Sequence, residues 1–333
     1  MTYQKPHLQY SELRATLSRR GMDVGDRSTA ETTLRTIGYS RLKAYTYPFR
    51  VPLPSASEQE TPYQMRGKDF FPGTCLEHAS ALYKFDQNLR RICLDGLQDL
   101  EISFRAAIAH TLGKRSQFAH LNAAHLDTGA CTALDIEGKA GWDHWLKTYR
   151  EARTQGKEED FVAHHLIKYG NDLPIWLTTE ILTFGSLVRL FSLLVDSDKT
   201  AVARYFGVTD GRRFHKWLLA MNGLRNVCAH HHRLWNRILT YELKVPSATV
   251  GPELAHLSAL PREKRLYDAL ALLSYLLKSR DSGSQWPATL RTQLKKFPKA
   301  SELLTEEGHP VLDMEYSMGC PKGWETLPLW QPN

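Results

Sequence analysis

The stretch Gly211 to Arg237, GRRFHKWLLAMNGLRNVCAHHHRLWNR, carries the cations Arg212, Arg213, Lys216, Arg225, Arg233 and Arg237 and no Asp or Glu. Its formal charge of +6 is nearly the whole excess of the chain, which is +7. His215, His230, His231 and His232 add imidazoles, the side chain that both gives and takes protons near neutrality. Arginine supplies a permanent planar cation that clamps phosphate oxygens through paired hydrogen bonds. These are the parts needed to cleave RNA without a metal. A base removes the 2′-OH proton, a cation steadies the charge growing on the phosphate, and an acid protonates the leaving 5′ oxygen. The products are a 2′,3′-cyclic phosphate and a 5′-OH.

Spacing alone does not select the residues. With 25 arginines and 14 histidines in 333 positions, chance gives about one Arg-x4-His pair. Three occur: Arg105/His110, Arg115/His120 and Arg225/His230. Only the third lies in the acid-free stretch, and only there does an amide, Asn226, follow the arginine. Asn226 and His230 are four apart, on one helical face, so the amide can orient the imidazole. Arg225, His230 and Asn226 are therefore the candidate catalytic residues. His231, which fits an Arg-x5-His spacing, is a candidate for catalytic support, as are Arg105 and His110. Arg212, Arg213, Lys216, Arg233 and Arg237 are candidates for gripping RNA phosphates.

Plainer readings stand beside these. Arg225 can satisfy helix-end carbonyls, and His230 can simply occupy a helix face. Glu101, four residues before Arg105, makes an i,i+4 ion pair the plain account of that arginine. Tyr39, Tyr45, Tyr47 and Phe49, interleaved with Arg41, Lys43 and Arg50, suit base stacking or packing equally. Cys228 with His230 or His232 offers too few ligands for a zinc site, so no metal or cofactor is expected. Gly113-Lys114-Arg115-Ser116 resembles the end of a phosphate-binding loop, but the required glycine is Ile108. There is no GxGxxG, HExxH, GxSxG or calcium-loop pattern.

The elements that must position these residues are helical. Apolar residues recur at Leu82, Phe85, Leu89, Ile92, Leu97, Leu100, Phe104, Ile108 and Leu112, which predicts one long amphipathic helix over Leu76–Leu112. Shorter helices are expected from Tyr10 to before Gly21, from Ser28 to Ile37, and over Trp142–Arg153, Glu158–Tyr169, Pro174–Val195, Arg212–Asn236 and Arg262–Ser279. Trp235 is expected in the core at a helix end. VPLPSASEQETP, Val51 to Pro62, reads as an exposed linker. It divides a small N-terminal helical unit, residues 1–62, from a helical body, residues 63–333. Prolines at 287, 298, 310, 321, 328 and 332 point to an irregular C-terminal segment that wraps the body.

A pI near 9.1 suits an anionic partner. Five scattered cysteines with no CxxC pair fit a reducing compartment, and neither an export signal nor a membrane span is recognisable. A cytoplasmic location is expected.

LRNVCAHHHRLWNR (Leu224 to Arg237) resembles the signature of the bacterial abortive-infection, or Abi, family, related to the D- and F-type defence proteins. IGYSRLKAYTYPFR (Ile37 to Arg50), LYKFDQNLRRICLDGLQDLEISFRAAIAHTLG (Leu82 to Gly113), LPIWLTTEILTFGSLVRLF (Leu173 to Phe191) and MGCPKGWETLPLW (Met318 to Trp330) resemble its other blocks in the same order. That family is similar to the HEPN superfamily of all-helical domains, whose Arg-x4–6-His motif carries ribonuclease activity in many members, commonly between two protomers. The resemblance implies an all-α, HEPN-like bundle and a phage-defence toxin that cuts RNA with Arg225, Asn226 and His230. A homodimer is expected too: histidines on one continuous helix diverge, so the second imidazole would come from a partner copy. A small RNA is a candidate regulator. The alternatives are a non-catalytic RNA-binding regulator of a toxin–antitoxin-like system and a protein-interaction partner that leaves the histidines idle.

Overall fold

Apolar residues recurring every three to four positions require each helix to bury one face, and fourteen α-helices form among the described residues. The computed structural model describes residues 4, 6–53, 66–170, 172–240, 243, 252–259, 265–300, 303–305, 308 and 310–331. In chain order the helices are Tyr10–Arg19 (α1), Arg27–Ile37 (α2), Tyr39–Thr46 (α3), Leu76–Gly113 (α4), Thr128–Thr132 (α5), Gly141–Gln155 (α6), Asp160–Tyr169 (α7), Ile175–Ile181 (α8), Phe184–Leu193 (α9), Asp196–Arg204 (α10), Gly211–Ala229 (α11), Leu266–Arg280 (α12), Trp286–Leu294 (α13) and Met314–Met318 (α14). The only sheet among the described residues pairs Arg50–Pro52 (β1) with Arg66–Phe70 (β2), antiparallel, in register Arg50 to Phe70 and with a bulge before Pro52. The fold is all-α, a helical bundle.

The chain forms two compact units. One comprises residues 1–90, Arg233–Asn236 and Leu290–Lys322. Its polar centre is Asp86, wholly buried on the first part of α4. Asp86 pairs with Arg90 and accepts hydrogen bonds from the Tyr45 hydroxyl at 2.6 Å, the Leu234 amide at 3.2 Å and the Trp235 amide at 2.5 Å. A buried carboxylate is tolerable only when neutralised and fully hydrogen-bonded, and here one group meets both demands while fixing a segment 148 residues away in sequence. Burial, then the neighbouring Asp86, pushes the Tyr45 phenol far above its ordinary range. Trp235 is in the core, against Phe297.

The second unit comprises Arg91–His232, Arg237–Thr289 and residues 323–333. Phe104 of α4, Phe184 and Phe191 of α9, and Phe214 of α11 meet edge to face, and Phe206 stacks on Phe214 at 5.1 Å. This aromatic knot fixes the start of α11, whose buried face continues through Trp217, Leu218, Met221, Leu224 and Cys228. Gly96 in mid-α4 and Gly211 at the start of α11 allow close approach: an added Cβ would stand 2.4 Å from the Trp286 ring and 2.6 Å from the Lys199 backbone. The last residues lie along α12. Trp330 Nε1 donates to Tyr267 at 3.0 Å, and Lys278 donates to the carbonyls of Leu329 and Gln331.

Four expectations need correction. The helix expected over Pro174–Val195 is two helices, broken where the Thr183 hydroxyl caps α9 by accepting from the Ser186 amide at 3.2 Å. The helix expected to run to Asn236 stops at Ala229, so Trp235 lies beyond the helix rather than at its end. α3, α5 and α10 form where no helix was expected, and α13 and α14 form within the segment expected to be irregular. β1 and β2 were also unforeseen. Residues 54–62 of the expected linker and 262–264 of the expected last helix lie outside the described residues.

Candidate active site

The three Arg-x4-His pairs meet different fates. Arg105 donates to the carbonyls of Thr179 and Glu180 and pairs with Glu101 one turn away, binding α4 to the end of α8. His110 is exposed on the far turn of α4. Arg115 makes a two-pronged bond to Asp198, at 2.6 and 2.9 Å. His120 is wholly buried, bonded to the Thr178 hydroxyl at 3.0 Å and edged by Trp145 and Tyr149. Burial pushes its imidazole down to about 3, so it stays neutral and sealed off from substrate.

Arg225, Asn226 and His230 sit on the last turn of α11 and its cap. Arg225 is half-buried with its guanidinium reaching Asn226 Oδ1 at 3.4 Å, and no carboxylate pairs with it among the described residues. Asn226 and His230 are exposed, and the Asn226 carbonyl accepts the His230 amide at 3.0 Å. The pairing with Asn226 matters because Arg225 and His230, five apart, fall about 140° apart around a regular helix. Asn226 lies between them around such a helix, about 100° from Arg225 and about 40° from His230.

α11 ends in an unusual way. The His231 amide donates to the Cys228 carbonyl at 3.1 Å and the His232 amide to Val227 at 3.0 Å, the two bonds of a Schellman cap. The capping residue needs a left-handed conformation, usually supplied by glycine, and here His231 adopts it with φ of 56°. An L-residue in that conformation costs on the order of 1 kcal/mol. The reversal brings the rings of His230 and His232, both exposed, to a centroid separation of 6.0 Å with a tilt of 35°.

The remaining cations are less uniform than the sequence suggests. Arg212 pairs with Asp196 at 2.5 Å, and Arg213 lies 3.9 Å from Asp210, the residue that caps the start of α11. Lys216 is exposed. The Arg233 guanidinium lies over Trp235, 5.9 Å from the ring centre, and donates to the carbonyls of Ala44 and Asn236. Arg237 is half-buried. His215 packs against Phe191, and burial, then Lys199 and Lys216, pushes it down to about 4. The stretch without acids is thus met by acids from outside it.

The Cys228 side chain is wholly buried, whereas His230, His231 and His232 are exposed. Among the described residues no group of three or more His, Cys, Asp or Glu side chains is placed to hold a metal ion, and no helix is long and apolar enough to cross a membrane. Sequence reasoning did not find the Asp86–Tyr45–Arg90 cluster, and it set His232 aside because a continuous helix would splay it from His230. The first depends on contacts across the whole chain, and the second on an αL turn that no glycine announces.

The profile of the Abi-like protein family matches residues 32–236, well over half of the chain and all of α11. The chain belongs to the Abi-like protein family. Membership connects it in general terms with abortive infection, the defence of bacteria against phage. No curated protein and no solved structure gives a significant match.

Proposed function

We propose that this Abi-like protein is a phage-defence toxin of the HEPN type, an endoribonuclease that needs no metal and cuts RNA to 2′,3′-cyclic phosphate and 5′-OH ends. One observation supports the reading: of the three Arg-x4-His pairs, only Arg225 and His230 combine an arginine without a carboxylate partner among the described residues and a solvent-facing imidazole at one helix end. Arg225 steadies charge on the phosphoryl oxygens, Asn226 orients the guanidinium, and His230 transfers a proton. Lys216 attracts the RNA backbone. Arg212 and Arg213 join it by exchanging exposed carboxylate partners for phosphates, an exchange that costs little at a solvated surface.

The premise of the homodimer was a continuous helix through His232. Because α11 ends at Ala229, the argument from diverging histidines lapses, and a partner copy is not required by this reading. The test is cleavage of single-stranded RNA in excess EDTA, with the fragment ends identified. Cyclic phosphate ends formed in chelator are expected. Cleavage that stops in EDTA and returns with magnesium contradicts the proposal, and tight RNA binding without cleavage favours a regulatory RNA-binding role.

A further inference from the structure

We infer that His232 is the second proton-transferring residue of the site, working with His230 of the same chain on one phosphodiester; this rests on the ribonuclease reading above. In-line attack places the 2′ oxygen and the departing 5′ oxygen on opposite sides of phosphorus, so one imidazole cannot serve both at once. A continuous helix would splay successive histidines about 100° apart. The Schellman cap changes that. With His231 turned into the left-handed region, His230 and His232 stand side by side, 6.0 Å between ring centres and tilted by only 35°.

At 6.0 Å between ring centres the two imidazoles are close enough to serve one phosphodiester. One nitrogen from each can then reach oxygens on either side of phosphorus over about 2.8 Å. Both imidazoles are exposed, so RNA can approach them, and Arg225 is one turn back on α11. The backbone strain at His231 gains a purpose: it sets the spacing of its neighbours.

The step balances. The neutral imidazole takes the 2′-OH proton as the 2′ oxygen bonds to phosphorus. The phosphorus–O5′ bond breaks, and the 5′ oxygen takes a proton from the imidazolium. The two rings exchange protonation states, and water restores them.

The experiment compares wild type, His230→Asn, His232→Asn and His232→Gln on RNA and on a uridine 3′-(4-nitrophenyl phosphate) substrate, whose leaving group needs no protonation. Folding is checked by circular dichroism and RNA affinity by filter binding. On RNA, His232→Asn and His232→Gln are expected to lose 10²- to 10⁴-fold in rate with affinity within about twofold, and the bell-shaped pH profile should lose one limb. On the activated substrate, one histidine variant, that of the general acid, should regain most of its rate and the other should not. Titrating wild type with an inactive Arg225→Ala/His230→Ala chain should lower activity in proportion to dilution. The inference is overturned if folded His232 variants cleave RNA at wild-type rate with an unchanged pH profile, or if the inactive chain poisons wild type. Either result leaves the Arg225–His230 reading standing. A wild-type protein that cleaves no RNA removes both.

Discussion

Removing the Asp86 carboxylate is expected to unfold the protein more readily than any other single polar deletion. In Asp86→Ala the buried Arg90 guanidinium loses its counter-charge, and the Leu234 and Trp235 amides and the Tyr45 hydroxyl lose their acceptor. Breaking a buried ion pair from one side costs about 3–5 kcal/mol, and each orphaned buried donor adds about 1–3 kcal/mol before relaxation. These effects share one site and do not add in full, so the expected loss is about 4–6 kcal/mol, a fall in Tm on the order of 10 °C. Differential scanning calorimetry and urea denaturation of wild type, Asp86→Ala, Arg90→Leu and the double variant measure it. The double variant should be less destabilised than the sum of the singles, because the stranded charge is gone. A folded Asp86→Ala protein melting within about 2 °C of wild type would refute the claim that this cluster holds the Leu234–Trp235 segment.

Three further outcomes are expected. Gly96→Ala should destabilise by about 1–3 kcal/mol, against the gain usual for Gly→Ala in a helix, because the new Cβ meets the Trp286 ring at 2.4 Å; a raised urea midpoint would contradict this. His231→Gly should stabilise the protein by about 1 kcal/mol by relieving the left-handed strain at φ of 56°, and a lower urea midpoint would contradict this. His120, held down to about 3 by burial, stays neutral in the fold while the unfolded chain protonates it near 6.5. Its folded pKa lies below its unfolded one, so stability is lost as pH falls from about 6.5 toward 3. His120→Gln should flatten the fall of Tm between pH 6.5 and 4, and an unchanged slope would remove His120 as its cause.

Much of the architecture is legible in residue spacing. The apolar series from Leu82 to Leu112 marks α4 to within a residue of its end, because a 38-residue helix with one long buried face leaves little ambiguity. The break between α8 and α9 was not legible: within a largely apolar run Leu182 turns extended, ending the first helix, and the Thr183 hydroxyl caps the second by accepting from the Ser186 amide. β1 and β2 are short, and the thirteen residues between Pro52 and Arg66 conceal a pairing visible only in three dimensions. At the candidate site, Arg225, Asn226 and His230 could be selected from charge and motif. His232 could not, since its position depends on a histidine adopting a glycine's conformation. Asp86 was hidden because its partners lie 41 and 148 residues away.

The central claim is that Arg225 and His230 cut RNA. It is tested most directly by the single-turnover cleavage rate of purified wild type, Arg225→Ala and His230→Ala on one labelled single-stranded RNA, with folding verified for each protein. The account predicts that wild type cleaves and that each variant loses at least 10²-fold in rate while Tm changes by less than about 3 °C, since His230 is exposed and the half-buried Arg225 pairs with no carboxylate among the described residues. Folded variants that cleave as fast as wild type would contradict it.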